Sequence, residues 1–369
     1  MKILVIGGTG TMGRPLVELL SNEHEVYVVC RQKSKELRNV SYFYGNANES
    51  NFLCKVLSSH YDCIIDFCWC TSKQFENKYH ALLNATDQYV CLSSAAVVAD
   101  GDIPLTEDAP RFIDVSPPTL NNNFEYHYEK ARIEDILIKS QFRNWTIIRP
   151  HITYNSNHII WGEFVDDQFL LRAILGNKII VPLDMLSCQS SMTYGGDVAL
   201  MISKLIGNER GLGEIINVSN PNGMTWGYML DVIQKVMQKR GYNIKTYEID
   251  NSIPLQRAFP GLSSRYTYDR LINRVFSNEK FRRLTGYDIT FKEFEYQIAV
   301  CVDSWISQHE NSFKVRDGQS YAKLDRISRE WSPISSFFSI KVYIGYLAWR
   351  IPGLNIPYRL IRKLLRGIK

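Results

Sequence analysis

A glycine-rich turn near the start of the chain constrains its fold more than any other feature. The stretch "VIGGTGTMGRPLVELL" runs from a short apolar segment through Gly7, Gly10 and Gly13 into a helical pattern. Glycines at this spacing allow a tight turn, a close backbone approach to a pyrophosphate, and close helix–strand packing. Free N–H groups and partial positive charge at a helix N-terminus attract phosphates. The turn predicts a dinucleotide-binding loop made of Gly7, Gly10, Thr11, Met12 and Gly13; the alternative is a turn that serves packing only.

The rest of the first 150 residues alternates two patterns. Short apolar runs occupy 2–7, 25–30, 63–69, 89–94 and 145–150, and helical patterns lie near 12–21, 74–85 and 125–140. Uninterrupted apolar strands that alternate with helices are typical of a parallel sheet covered on both faces. The sequence therefore predicts an α/β protein with a Rossmann-type, doubly wound sheet.

The pattern becomes less regular beyond Pro150. We expect helices near 163–175, 196–206, 226–239 and 288–309, and strands at 178–183 and 214–220. A chain of 369 residues has room for about two domains. We predict a dinucleotide-binding domain at 1–150, with returning elements at about 190–225. A substrate lobe at 151–330 and a basic tail at 331–369 complete the predicted organisation.

Composition excludes several classes of protein. The net charge of +5 is too small to indicate nucleic acid as a partner. The eight cysteines show neither C-x-x-C pairs nor zinc-type spacing with histidines, so we expect no metal site. Most of them lie in apolar runs, which indicates small buried hydrophobic residues in a reducing cytoplasm. No stretch approaches 18 uncharged apolar residues, so we expect no membrane-spanning helix.

The second apolar run ends in "VVCRQKSK", where a residue that binds the adenosine ribose is expected. An acid at this point would bind the 2′-hydroxyl of NAD, but Arg31 is present, followed by Lys33 and Lys35. Arginine can hold a phosphate with two hydrogen bonds, so Arg31 favours NADP, with NAD as the alternative. These charges could equally belong to a solvated surface loop.

The stretch "YHYEKARIEDIL" contains two tyrosines and a lysine. On a helix, Tyr126 and Lys130 lie four positions apart on one face, whereas Tyr128 points to the other side. A free tyrosine has a pKa near 10, and a nearby ammonium stabilises its phenolate form. Tyr126 is therefore the candidate acid/base, Lys130 its partner, and Ser94, at the end of the run "YVCLSS", the residue that would hold the same substrate oxygen.

The order and spacing of these motifs resemble the extended short-chain dehydrogenase/reductase superfamily. More narrowly, "SSAAVV", "YHYEK" and "IIRP" resemble the NAD-dependent epimerase/dehydratase branch that acts on nucleotide sugars. "RPHITYNSN" and "YDRLINRVF" resemble uncharacterised members from bacterial capsule and surface-polysaccharide gene sets. The resemblance covers roughly residues 1–300. It implies the catalytic set Ser94, Tyr126 and Lys130, with Tyr126 and Lys130 also touching the cofactor.

Departures from the family pattern concern both the cofactor and the reaction. At the cofactor, Thr11 replaces a usual aromatic after Gly10, and Asn46 replaces an acid expected near the adenine. Ala95 and Ala96 follow Ser94 where 4,6-dehydratases carry an acid pair, so a reductase or an epimerase is favoured. A dehydratase is the second alternative. A non-catalytic member that senses a cofactor or binds RNA is the third, although the Tyr/Lys pair speaks against it.

The composition changes from Trp331 onward. The tail is rich in aromatic and aliphatic residues, lacks acids, and contains seven basic residues: Lys341, Arg350, Arg359, Arg362, Lys363, Arg366 and Lys369. This mixture is typical of a segment that lies on an anionic membrane, here at the cytoplasmic face. The alternative is an arm that packs on the body of the protein or on the second subunit of a homodimer.

Overall fold

A computed structural model describes residues 1–33, 36–118, 125–310 and 312–358 and divides the chain into two compact units. Unit 1 comprises 1–155, 189–224 and 273–293, and unit 2 comprises 156–188, 225–272 and 294 onward. The tail, as far as it is described, thus groups with unit 2. Residues 273–293 return to unit 1, and the sequence pattern of this region did not predict that return.

The strands are short in both units. In chain order they are β1 (Lys2–Ile6), β2 (Glu25–Cys30), β3 (Val40–Tyr44), β4 (Tyr61–Asp66), β5 (Thr86–Leu92), β6 (Trp145–Arg149), β7 (Thr153–Tyr154), β8 (Ile160–Trp161), β9 (Phe164–Val165), β10 (Ile179–Pro182), β11 (Gln189–Ser190), β12 (Thr193–Tyr194), β13 (Glu214–Asn217), β14 (Met224–Thr225) and β15 (Thr246–Ile249).

The helices include several of only one or two turns. They are α1 (Gly13–Leu20), α2 (Ser50–Val56), α3 (Ser72–Glu76), α4 (Tyr79–Asn84), α5 (Phe112–Val115), α6 (Tyr126–Lys139), α7 (Leu170–Ile174), α8 (Gly195–Leu205), α9 (Trp226–Lys239), α10 (Ile253–Ala258), α11 (Ser263–Arg265), α12 (Glu279–Thr285), α13 (Phe294–His309), α14 (Gly318–Ser328) and α15 (Ile340–Arg350).

Unit 1 is built on a seven-stranded sheet in the order β13-β6-β5-β4-β1-β2-β3, with every neighbouring pair parallel. One face packs apolar side chains of α1 and α8, and the other packs those of α2, α4 and α6. This confirms the predicted Rossmann-type sheet. The strand order reverses between β1 and β4, so the carboxyl ends of these strands form the crevice where such sheets bind ligands.

Unit 2 contains a parallel pair, β10 with β15, an antiparallel hairpin, β8 with β9, and helices. The predicted helix at 163–175 is wrong over its first half, and only Leu170–Ile174 is α-helical. Gly162, with φ of +58°, begins the two-residue turn of the hairpin, and glycine accepts this left-handed conformation readily. The predicted helix near 288–309 begins six residues late, at Phe294.

Within the described part of the chain, no helix combines the length and the apolar character needed to cross a membrane.

Candidate active site

The glycine loop joins β1 to α1 in unit 1. Gly7 has a φ of +80°, and its N–H donates to the carbonyl of Val29 at 2.9 Å, which fixes the turn to the neighbouring strand. A Cβ on Gly13 would lie 2.8 Å from the Gly7 carbonyl oxygen and 2.8 Å from Gly8 Cα. The helix can therefore start against the loop only because residue 13 is glycine. Met12, whose side chain has no oxygen to cap the helix, precedes it.

Two further features bear on the loop as a cofactor cradle. A Cβ on Gly10 would approach only the Gly7 carbonyl oxygen, at 3.7 Å, so the space above this residue is open. The carbonyl of Thr11 is held by the Asn155 side chain, whose Nδ2 donates to it at 3.0 Å. The space beside Gly10 is thus open, and the candidate contacts Gly7, Gly10, Thr11, Met12 and Gly13 lie in one loop.

Basic residues lie beside this loop. Arg31 is exposed and directly follows the last residue of β2, and Lys33 is exposed as well. Burial raises the pKa of the Cys68 thiol to about 12, and the positive charges of Lys78 and Arg31 oppose that rise. Lys35 lies outside the described residues. A cleft next to the glycine loop is lined by Thr9, Arg14, Leu37 and Tyr42 among others. Arg14 is therefore a second basic residue that is a candidate for contact with a cofactor phosphate.

A buried polar group at the end of β4 has no counterpart among the residues predicted from the sequence. The Asp66 carboxylate accepts hydrogen bonds from the Cys68 N–H at 2.9 Å and from the Tyr89 hydroxyl at 3.1 Å, and its other neighbour is the Lys78 ammonium at 3.5 Å. Lys78 also donates to Asn48 at 3.1 Å. The only sequence signal was a carboxylate inside the apolar run "CIIDFCW".

Helix α6 carries the tyrosine and the lysine. Tyr126 is its first residue, and its side chain is 38% exposed, whereas Lys130 is buried. The Lys130 ammonium donates to the Leu92 carbonyl at 2.6 Å and lies 6.0 Å from the centre of the Tyr126 ring. Leu92 ends β5, and Ser94 follows two residues later. The structure therefore brings Tyr126 and Lys130 together at the carboxyl end of β5.

Trp69 completes this face of the site. Its ring centre lies 5.2 Å from that of Tyr126, and the Lys130 ammonium lies 5.5 Å from the Trp69 ring centre. The indole is about half exposed, so Tyr126 has an aromatic neighbour on one side and solvent on the other. The sequence gave no reason to select this tryptophan, because its contacts depend on the alignment of β4 with α6.

Ser94 lies in a turn that packs against α6. Its Oγ accepts a hydrogen bond from the Ala96 N–H at 3.2 Å, and Ala95–Val97 form a single 3-10 turn beside the helix. Tyr128 has a different environment from Tyr126, because it is fully buried and its hydroxyl donates to the Ser116 carbonyl at 2.6 Å. Of the two tyrosines, Tyr126 is therefore the one that a substrate can reach.

A buried ion pair holds α6 to the sheet one turn below Lys130. The Arg149 guanidinium donates to both Glu134 carboxylate oxygens, at 2.8 and 2.7 Å, and both side chains are almost completely buried. The Ser93 hydroxyl donates to the same carboxylate at 2.5 Å. Tyr126, Lys130 and Glu134 follow each other at intervals of four, so one face of the helix carries both the Tyr126–Lys130 pair and the ion pair that anchors it.

A sequence model described as the NAD dependent epimerase/dehydratase family matches residues 3–219. The chain belongs to this family. It is accordingly an enzyme of the short-chain dehydrogenase type, as the motifs predicted. The matched span contains the glycine loop, Ser94, Tyr126 and Lys130. No curated protein matches the chain.

Solved structures share the fold at low sequence identity. A UDP-N-acetylglucosamine 4-epimerase from Methanobrevibacter ruminantium, solved with UDP-N-acetylmuramic acid, is 16% identical with a TM-score of 0.65, over 83% of this chain and 98% of its own. A dTDP-glucose 4,6-dehydratase from Bacillus anthracis, solved with NAD, is 16% identical with a TM-score of 0.62, over 85% and 98%. A UDP-glucose 4-epimerase from Thermotoga maritima, solved with UDP-glucose, is 15% identical with a TM-score of 0.62, over 84% and 99%.

Two positions where this member of the epimerase/dehydratase family departs from the usual pattern are both accessible. Thr11 is half-buried at the glycine loop. Asn46 is exposed and lies two residues after the end of β3. Its side chain accepts a hydrogen bond from the Asn48 N–H at 3.1 Å and donates one to the Glu49 carboxylate at 3.3 Å. Among the residues that the structure describes, no cluster of three or more His, Cys, Asp or Glu could hold a metal ion.

Proposed function

We propose that the chain is a reductase or epimerase of a nucleotide-activated sugar, with Tyr126, Lys130 and Ser94 as its catalytic residues. The observation that carries the proposal is the pair formed by Tyr126 and Lys130 at the carboxyl end of β5, in a member of the epimerase/dehydratase family. Solved proteins of the same fold hold UDP-N-acetylmuramic acid and UDP-glucose, which supports the substrate class.

The nicotinamide ring of the cofactor, when bound, supplies the group that accepts or donates a hydride. Tyr126 would take the proton from the sugar hydroxyl in oxidation and return it to the carbonyl oxygen in reduction. Lys130 cannot leave the site easily, because its ammonium is buried and bonded to the Leu92 carbonyl. Its positive charge would stabilise the phenolate of Tyr126. The Ser94 hydroxyl would donate to the same substrate oxygen and orient it.

Water elimination is the less favoured reaction. It needs a general acid beside the reacting oxygen, and the two residues that follow Ser94, Ala95 and Ala96, carry no acid. A protein that senses a cofactor without turnover is the third candidate, and a buried lysine facing an exposed tyrosine argues against it.

Turnover of purified Tyr126→Phe with a panel of UDP- and dTDP-sugars tests the proposal, with Tyr128→Phe as the matched control. Tyr126→Phe should lose at least about a hundredfold in kcat, since general acid–base catalysis contributes roughly that much or more. It should still bind the cofactor. Tyr128→Phe should keep its kcat, although loss of the bond to Ser116 should cost about 1 kcal/mol of stability.

Mass spectrometry of the products separates the reactions. An epimerase leaves the mass of the sugar unchanged, and a reductase changes it by two hydrogens. A product lighter by one water would establish the dehydratase instead, and equal losses in Tyr126→Phe and Tyr128→Phe would refute the assignment of Tyr126.

We propose NADP as the preferred cofactor, because Arg31 stands where an acid would bind the ribose of NAD and Arg14 lines the adjoining cleft. The family description and the solved structures that contain NAD support NAD. Calorimetric titration of both cofactors decides between them. Arg31→Ala should weaken NADP binding about tenfold or more and leave NAD nearly unchanged. Tighter binding of NAD to the wild type would overturn this preference.

We further propose that the enzyme works in the cytoplasm in the synthesis of a surface polysaccharide. All eight cysteines lie among the described residues and all are free thiols, which fits a reducing compartment. The link to polysaccharides rests on the similarity of two motifs to members from such gene sets. Deleting the gene in its host and analysing the surface glycans would test it, and an unaltered glycan composition would speak against it.

A further inference from the structure

The described part of the tail has two faces of opposite character. Its inner face packs within unit 2, where α15 lies on α14. The Tyr346 hydroxyl, fully buried, donates to the Asp325 carboxylate at 2.8 Å and accepts from the Ser332 N–H at 2.9 Å. A Cβ on Gly318 would lie 2.3 Å from the Val342 carbonyl oxygen, so the two helices touch through their backbones. This face is an integral part of unit 2.

The outer face presents large apolar side chains to solvent. Ile340 and Ile344, one helical turn apart on α15, are 68% and 51% exposed. Four apolar side chains that lie close to α15 in sequence are also more than a third exposed: Ile334, Phe338, Leu354 and Ile356. A concentration of this kind is unusual on a soluble protein and marks an interaction surface. We call the set Ile334, Phe338, Ile340, Ile344, Leu354 and Ile356 the apolar face.

The exposed charges near the apolar face in sequence are mostly positive. Exposed basic residues near it in sequence are Lys314, Arg316, Arg326, Arg329 and Lys341, and the guanidinium of Arg316 lies 4.4 Å from the centre of the Phe338 ring. The acids of the same stretch are engaged within the unit. Asp325 and Glu330 bind Arg172 at 2.8 and 3.0 Å, and Asp317 caps α14. Five more basic residues beyond Tyr358 lie outside the described residues.

We propose that the apolar face binds the surface of an anionic phospholipid bilayer. Apolar side chains would enter the boundary between headgroups and acyl chains, and the surrounding basic residues would attract the lipid phosphates. Helix α15 has 11 residues and is therefore about 16 Å long, about half the thickness of the hydrocarbon core, so it would lie along the surface. The inference is independent of the reaction proposed above.

A second copy of the chain fits the apolar face less well. A symmetric contact places the same patch of both copies against each other. The basic residues around the two patches would then repel one another, and the acids that could compensate them are already bound within each unit. An anionic lipid surface supplies the missing negative charge.

Co-sedimentation of the full chain with vesicles tests the proposal. Vesicles of equal parts phosphatidylcholine and phosphatidylglycerol are compared with phosphatidylcholine alone, at low salt and at about 1 M salt, where the Debye length falls to about 3 Å. The wild type should bind the anionic vesicles at low salt only. The double variant Ile340→Ser/Ile344→Ser should bind about thirtyfold more weakly, because it lacks two aliphatic side chains that would be partly buried in the lipid.

A matched control is present in the same unit. Tyr296 and Val300 on α13 are also four residues apart and are 67% and 42% exposed, and the same helix carries the acids Glu295 and Asp303. Tyr296→Ser/Val300→Ser should bind vesicles like the wild type. Thermal unfolding of both variants should match the wild type, since the replaced side chains are exposed.

Any of four results would overturn the proposal. The wild type could remain in the supernatant with anionic vesicles at low salt, or it could bind both kinds of vesicle equally. The variant at 340 and 344 could bind as tightly as the wild type. Light scattering could show that the same variant turns a dimer into a monomer while no form of the chain binds vesicles, in which case a second copy covers the apolar face.

Discussion

Replacement of two loop glycines by alanine separates the fold of the cofactor loop from its proposed function. In Gly13→Ala the new methyl group would lie 2.8 Å from backbone atoms of Gly7 and Gly8, whereas ordinary contacts begin at 3.4 Å. The helix or the loop must move by the difference, 3.4 − 2.8 = 0.6 Å. Because only backbone surrounds the methyl group, we expect a cost of about 1–3 kcal/mol, as for other overpacked sites.

Gly10→Ala should behave differently. Its methyl group would meet only the Gly7 carbonyl oxygen, at 3.7 Å, so we expect the free energy of unfolding to change by less than about 0.5 kcal/mol. The same methyl group would occupy the space where a pyrophosphate approaches the backbone. Cofactor affinity should fall at least about tenfold, which corresponds to about 1.4 kcal/mol.

Urea unfolding without cofactor and calorimetric titration with NAD and NADP measure the two quantities separately. Gly13→Ala should lose both stability and binding, and Gly10→Ala should lose binding alone. If Gly10→Ala is stable and binds either cofactor like the wild type, the pyrophosphate does not approach this residue. If Gly13→Ala is as stable as the wild type, α1 and the loop are not in the close contact described above.

Two further predictions concern α6. Arg149→Met leaves the buried Glu134 carboxylate without its main partner and should cost about 3–5 kcal/mol in urea unfolding. The double variant Arg149→Met/Glu134→Leu should be more stable than the single one, and a single variant within about 1 kcal/mol of wild type would contradict this. Burial and, to a smaller extent, the charge of Arg274 lower the pKa of His127 from 6.5 to about 4. Between these pH values the unfolded chain binds more protons, so stability falls as pH falls. His127→Phe should flatten that part of the profile relative to the wild type, and identical slopes would refute the role of His127.

The sheet and the Tyr/Lys pair could be predicted because their signals are local. Buried parallel strands appear as uninterrupted apolar runs, and the run at 25–30 coincides with β2. The four-residue spacing of Tyr126 and Lys130 defines a shared helix face without any tertiary information. Their catalytic roles, and that of Ser94, stay predictions, because geometry alone does not establish turnover.

The remainder depends on contacts between distant parts of the sequence. Asp66 contacts Lys78 and Tyr89, which are 12 and 23 residues away. The apolar run alone does not show whether a carboxylate at its end is buried with partners or exposed to solvent. Trp69 reaches Tyr126 across 57 positions, 126 − 69, through the alignment of β4 with α6. The first half of the helix predicted at 163–175 is wrong for a local reason, because the left-handed turn at Gly162 outweighed a helical pattern.

The backbone contact at Gly318 has a consequence for how the tail would meet a partner. A basic, apolar segment that is unfolded in solution must order itself on binding, and that loss of conformational entropy weakens the complex. Helix α15 is already held against α14 by the Gly318 contact and by the buried hydroxyl of Tyr346. Ile340 and Ile344 would therefore arrive at a surface preorganised. Their association would need no folding step, and changes at Gly318 would weaken it without altering a single residue of the apolar face.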